Sequence, residues 1–291
     1  MPGRSDIFRH SFRSCQLPEA RYAGFAFAQA PSTKTGKVFR TGHGPYMSST
    51  LYDRLVDSVI GKVEHALIED CAIGRKCAGI HTRYGTGLAF VSDEAWREAE
   101  NAGPAELERR FRGRRMADTL AAYPASGPLE TTLALAALNS FHIASGEDDP
   151  LTWFRDLRGK KRLGMVGYFC PIMDRLALTG IVPVIFDLRP LPGPHRPEEA
   201  ADLLPGCDAV LITGAAFVNK TVDHYLPYIS PEAEAYIFGH STPLADELLD
   251  RFTLGSSRVL DKDTVFEAIR QGGGPRDFRS GVRKVIRRRR Q

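Results

Sequence analysis

The sequence predicts an α/β protein whose second half is a Rossmann-like, mostly parallel sheet. Between residues 159 and 274, short apolar runs alternate with stretches of helical length, the pattern of right-handed βαβ units. The 291 residues are 43% hydrophobic and 25% charged, enough apolar material for one large domain or two modest ones.

The strands of that half are expected at Lys161–Gly167, Val182–Phe186, Ala209–Thr213, Ala235–Phe238 and Arg258–Leu260. Helices are expected at Pro171–Thr179, Pro197–Leu204, Val222–Tyr228, Pro243–Phe252 and Asp263–Gln271. The first half reads as a smaller α+β unit. Leu51, Leu55, Val56, Val59, Val63 and Leu67 recur at helical spacing. Asp70–Phe90 reads as two short strands around the glycine- and arginine-rich turn Arg83–Gly87, and residues 93–115 as polar, exposed helix. Pro128–Ala144 is the clearest helix, with Pro128 suited to an early helical position and Ser145-Gly146 closing it. The acidic, turn-rich Gly146–Pro150 marks a boundary. The expected division is a 1–48 N-terminal extension, a 49–146 α+β domain, a 147–158 linker, a 159–274 Rossmann-like domain and a 275–291 basic tail. Within the extension, Arg21–Ala28 is strand-like and Pro31–Tyr46 has loop composition.

The net charge of +4 is unevenly placed. Residues 275–291 hold eight Lys/Arg against one Asp, which leaves 31 basic and 34 acidic residues for a mildly acidic body. The tail is expected to be a solvated, frayed terminus whose deletion leaves the fold intact. No recognition-helix pattern or aromatic interleaving accompanies it, so no specific nucleic-acid partner is expected. No stretch approaches the ~20 apolar residues of a membrane span. The first residues lack a secretory signal's apolar core, and five irregularly spaced cysteines make no disulfide framework, so a cytoplasmic protein is expected.

In a parallel sheet, ligands sit beyond the carboxyl ends of the strands. Those ends carry Gly167 and Phe169, then Asp187, then Thr213 and Gly214 with Asn219, Lys220 and Thr221, then His240, Ser241 and Thr242. The first turn lacks a GxGxxG fingerprint, which argues against a bound dinucleotide. Asp187 is placed to hold a hydroxyl or to serve as a turn residue. Thr221 and Thr242 suit helix starts, but caps alone do not explain Asn219, Lys220, His240 and Ser241 at one edge. A pocket for a polar, anionic small molecule explains them better. Cys71, Cys77 and His81 lie close in sequence, and Cys170 and His240 fall at strand ends, but none has metal-ligand spacing, so no protein-bound metal is expected. Ser241 lacks a nucleophile elbow.

Here the residues reach a resemblance. The series Gly164–Phe169, Thr213-Gly214 with Asn219-Lys220-Thr221, and Gly239–Leu244 resembles the C-terminal domain of the family named domain of unknown function 364, associated with heavy-metal chelation. Gly74, Gly85–Gly87 and Pro128-Leu129-Glu130 leading to Asn139 resemble its N-terminal companion domain. The resemblance covers about residues 50–272 and implies an enolase N-terminal-like domain ahead of a Rossmann-like one, with one site closed by both. It also implies partial similarity to Rossmann methyltransferases, and condensation or hydrolysis of pterin-, flavin- or siderophore-like compounds. His240 stands where the family usually carries a second proline.

The leading expectation is a small-molecule enzyme with an interdomain site. His240 and Lys220 would transfer protons, and Gly167, Phe169, Thr213, Gly214, Asn219, Thr221, Ser241 and Thr242 would bind the ligand. Asp187 would hold a hydroxyl or amine, and Arg83 would reach in from the first domain. The rivals are a non-catalytic metal-chelate binding protein and a transferase using a nucleotide-like cofactor such as S-adenosylmethionine. The cofactor is unassigned, and a homodimer is one assembly left open.

Overall fold

Two sheets organise the chain, one antiparallel with three strands and one mostly parallel with six. The computed structural model describes residues 50–143, 157, 159–160, 162–169, 172–173, 176, 181–189 and 192–290. The extension, nearly all of the expected linker, most of the helix expected at Pro171–Thr179, and Cys170 lie outside the described residues.

Helix α1, Leu51–Ile60, starts at a capping box in which Thr50 and Asp53 exchange side-chain and backbone hydrogen bonds. It buries Leu51, Leu55, Val56 and Val59. Three strands follow, β1 (Ile68–Ile73), β2 (Cys77–Thr82) and β3 (Gly85–Phe90), each antiparallel to the next. The two strands expected in this stretch are therefore three, and Gly85–Gly87 belongs to β3 rather than to the turn. Gly87 is there for packing, since a Cβ at that position would stand 2.1 Å from the Ala136 carbonyl oxygen. Helices α2 (Asp93–Ala102), α3 (Pro104–Phe111) and α4 (Met116–Ala121) lead to α5, Pro128–Phe141. Eleven of the fourteen α5 residues are buried, so this helix has no solvent face and runs through the interior.

In the second half the sheet order is β5-β4-β6-β7-β8-β9. Strands β4 (Leu163–Val166), β5 (Val184–Phe186), β6 (Ala209–Thr213), β7 (Glu234–Phe238) and β8 (Thr253–Val259) are parallel. The expected helices at Pro197–Leu204 and Val222–Tyr228 are single turns extended by 3-10 geometry at Pro205 and Pro227, where the missing N–H ends the α-helix. The helix expected at Pro243–Phe252 is absent, and only Asp246–Leu248 makes a 3-10 turn. The apolar spacing that suggested it comes from a loop that buries Leu244, Ala245, Leu248 and Leu249. Helix α6, Lys262–Arg270, is capped by Asp261 and lies against the first sheet, where a Cβ on Gly79 would stand 2.5 Å from the Phe266 ring. The small sheet is thus held between α5 and α6.

The basic tail is a correction. Val282–Arg287 forms β9, antiparallel to β8 across six paired positions, with Val285 and Ile286 buried. Arg287 donates to the Leu244 carbonyl and pairs with Asp246 at 2.6 Å. Among the described residues no helix is long and apolar enough to cross a membrane.

Candidate functional site

The parallel registers place Gly167, Asp187, Gly214 and His240 just beyond the ends of β4, β5, β6 and β7, at one edge of the sheet. That edge meets the first half of the chain. The loop after β7 crosses β6 closely, since a Cβ on Gly214 would stand 2.7 Å from the Thr242 hydroxyl oxygen. Two bonds then join this loop to the small sheet. The Phe90 amide donates to Ser241 Oγ at 2.7 Å, and Cys77 Sγ shares a 3.4 Å hydrogen bond with His240 Nε2.

Beside these contacts a cleft opens between β3, the end of α5, the β7 loop and β8. It encloses about 290 Å³ including its open mouth, and its closed part has room for about one water or one ligand group. Its polar lining comes from Thr86, Asn139, His142, His240 and Thr242 together with the β8 residues Ser256, Ser257 and Arg258. Asn139 Nδ2 donates to the Leu88 carbonyl, which fixes Oδ1 as an acceptor without a partner among the described residues. His142 Nε2 and Thr242 Oγ1 are likewise buried and unpartnered. Burial, and secondarily the Lys284 ammonium, pushes His240 down to about 3, and burial pushes His142 down to about 4. Both rings are therefore neutral at pH 7. Burial also pushes the Cys77 thiol up to about 12.

Of the expected site residues, His240 and Thr242 line the cleft and Ser241 braces it. Others are engaged elsewhere. Lys220 Nζ donates to the carbonyls of Pro124 and Ser126, pinning the chain ahead of α5. Both Asp187 oxygens are occupied by Arg189, and one also by the Tyr168 amide. Burial would raise the Asp187 pKa, but those bonds outweigh it and lower it. These are the bonds of a turn residue, and they occupy Asp187 oxygens that a ligand hydroxyl or amine would need. Thr213 Oγ1 accepts from the Ala215 amide, and a Cβ on Gly167, whose φ is 83°, would stand 2.3 Å from Thr213 Cγ2. Asn219 is exposed at the end of the turn Ala215–Val218, Thr221 precedes Val222–Tyr225, and Phe169 packs against an apolar cluster that includes Leu163, Met165 and Tyr236. Arg83 is exposed at the β2–β3 turn beside the Tyr84 ring. None of these lines the cleft.

Asn139, His142, Thr86 and the β8 residues were not anticipated as site residues. A lone amide in the apolar run of α5 was the one available signal. Among the described residues no three His, Cys, Asp or Glu side chains converge to hold a metal ion. The Cys77–His240 pair supplies two donors, which does not amount to a complete protein-only coordination sphere.

Residues 149–288 match the domain of unknown function 364 and residues 56–142 the domain of unknown function 4213, both described as "Putative heavy-metal chelation". Two crystal structures of DUF364 proteins of unknown function are similar in fold. One, from Desulfitobacterium hafniense DCB-2, has a TM-score of 0.67 at 21% identity over 81% of this chain and 98% of that one. The other, from Pyrococcus horikoshii, has a TM-score of 0.66 at 17% identity over 82% and 99%. No curated protein matches. Both matches lie on the two halves just described, so the chain carries a DUF4213 domain at residues 56–142 followed by a DUF364 domain at residues 149–288.

Proposed function

We propose that this protein binds a small metal chelate at the mouth of the cleft between its two halves, with one polar group of the chelate entering the cleft. The observation that carries this reading is that three residues lining one small space beside His240 each hold a buried polar atom without a partner among the described residues. Each such atom costs about 1–3 kcal/mol unless something meets it, so a ligand that offers both donors and acceptors is rewarded there. The described residues provide no complete metal site, so the metal would arrive with donors of its own. Arg258 at the cleft favours an anionic chelator. The unpaired Cys71, Cys77 and Cys207 suit a reducing, cytoplasmic setting.

The enzymatic reading, condensation or hydrolysis of a pterin-, flavin- or siderophore-like compound, needs a proton donor in the cleft. Both imidazoles there are held neutral and Lys220 is bound elsewhere, so binding has better support than turnover. A transferase using a nucleotide-like cofactor would want a free acid at Asp187, whose oxygens are already engaged.

Thr242→Val tests the reading. It keeps the shape of the side chain and removes a hydroxyl that has no partner, so thermal stability should hold or rise. Retention of whatever chelate copurifies, measured by mass spectrometry with elemental analysis, should fall about tenfold, ~1.4 kcal/mol. A protein that carries no chelate, together with a Thr242→Val variant that melts earlier, would instead mark the space as the seat of a structural water.

A further inference from the structure

We infer that the group entering the cleft is an uncharged hydroxyl, and that the chelator is a hydroxycarboxylate whose carboxylate lies between Arg258 and Arg283 at the mouth. This ligand class rests on the chelate-binding reading of the same cleft. The closed part has room for about one water, which is the size of one hydroxyl. Its lining sets what that group must be. Asn139, 9% exposed, already donates from Nδ2 to the Leu88 carbonyl at 2.8 Å, so its unpartnered Oδ1 can only accept. A carboxylate has no proton to offer it. Thr242, 1% exposed, holds a hydroxyl without a partner, able to donate or accept. His142 Nε2 lacks a partner too, and its neutral ring takes either role by tautomer. An ammonium can donate to these atoms, but no Asp or Glu lines the cleft to offset a buried positive charge. A hydroxyl donates once, accepts twice and carries no charge, which suits all three.

The anion site lies on the neighbouring strand pair. Arg258 lines the cleft and is exposed, and in the β8–β9 register it stands directly opposite Arg283. Residues opposite one another in an antiparallel pair share a face, so two guanidinium groups leave the ladder side by side. Like charges so placed repel, and a carboxylate between them replaces that repulsion with charge-assisted hydrogen bonds. Asp246, in the loop after β7, is paired with Arg287 and Arg290, and Arg258 has no ion-pair partner among the described residues. Arg258 and Thr242 line the same small cleft, so a molecule of a few carbons spans from hydroxyl to carboxylate. The metal would stay outside the closed part, held by the chelator's remaining oxygens.

Malate and succinate differ by one hydroxyl. Supplied without metal, they compare that hydroxyl free of any difference in metal affinity. Titrated calorimetrically into the full chain, racemic malate should bind about tenfold more tightly than succinate. Thr242→Val should bring the two acids within about twofold by weakening malate alone. Arg258→Gln, on an exposed side chain, should weaken both acids alike, by about fivefold or more. Thermal melts of both variants without ligand check that the fold is kept. Equal binding of the two acids, or a full preference that survives Thr242→Val, overturns the hydroxyl and leaves an anion site at the mouth. An Arg258→Gln variant that binds both acids like the parent overturns the arginine pair. If neither acid binds, a protein that still copurifies with a chelate keeps the chelate-binding reading and loses the hydroxycarboxylate, whereas one that copurifies with none loses both.

Discussion

His142 shows how a single residue couples the cleft to pH. Its side chain is half-buried with Nε2 shut off from solvent at the end of α5, and burial pushes its pKa to about 4 against the opposing pull of Glu247 and Asp246 in the loop after β7. Arg287 on β9 and Lys62 after α1 act in the same direction as burial. In the unfolded chain the ring titrates near 6.5. The unfolded state thus binds a proton that the folded state refuses. The stabilising contribution of the neutral ring is full above that value and is lost as pH falls toward 4, at up to about 1.4 kcal/mol per pH unit. His142→Gln should flatten the decline in urea-unfolding free energy between about pH 7 and pH 5. An unchanged decline would mean that the ring gains its proton in the fold at little cost.

At the scale of elements, β9 has the largest consequence. The strand closes the edge of the sheet beside β8, and its exposed Arg283 and Lys284 make that edge a poor template for another chain. Deleting Arg283–Gln291 should remove the burial of Val285 and Ile286, at roughly 1.5–3 kcal/mol each, and expose the β8 edge. A fall in Tm of many degrees is expected, and Ile286→Ala alone should cost about 2–5 kcal/mol in denaturant unfolding. A truncated chain that melts with the parent would return the tail to the frayed state its composition suggested. That composition misled because in Arg283–Gln291 two apolar residues among six basic ones carry almost no periodic signal, and only the partner strand makes them a ladder. By contrast, Ala209–Thr213 was legible to the residue, since a strand buried on both faces is an unbroken apolar run. In β3 the glycines read as a turn because their reason, the approach of α5, lies elsewhere in the chain. The same division applies to the site. His240 and Thr242 were readable from their place at a strand end, whereas Asn139 and His142 acquire their role only when α5 meets the β7 loop.

Across the whole molecule, one apolar cluster runs from α1 and α5 into β6 and β7, so the two halves share a core. Polar bonds cross the same boundary. Tyr123 donates to the Phe217 carbonyl, the Val222 amide to the Tyr52 hydroxyl, and the Leu51 amide to Asp223. On the far side of the small sheet Lys262 pairs with Asp70, and Arg270 with Glu108. Neither half can leave the other without exposing apolar surface and stranding buried donors, so the described residues should unfold as one cooperative unit. Calorimetry should give a single transition whose van't Hoff and calorimetric enthalpies agree. Tyr123→Phe, which removes one bond between the halves while keeping the ring, should lower that transition by about 0.5–1.5 kcal/mol without splitting it. Two resolved transitions, or a Tyr123→Phe variant in which only part of the heat absorption moves, would show that the halves are held by the cleft contacts alone. A ligand bound in the cleft would then act as the clamp between them.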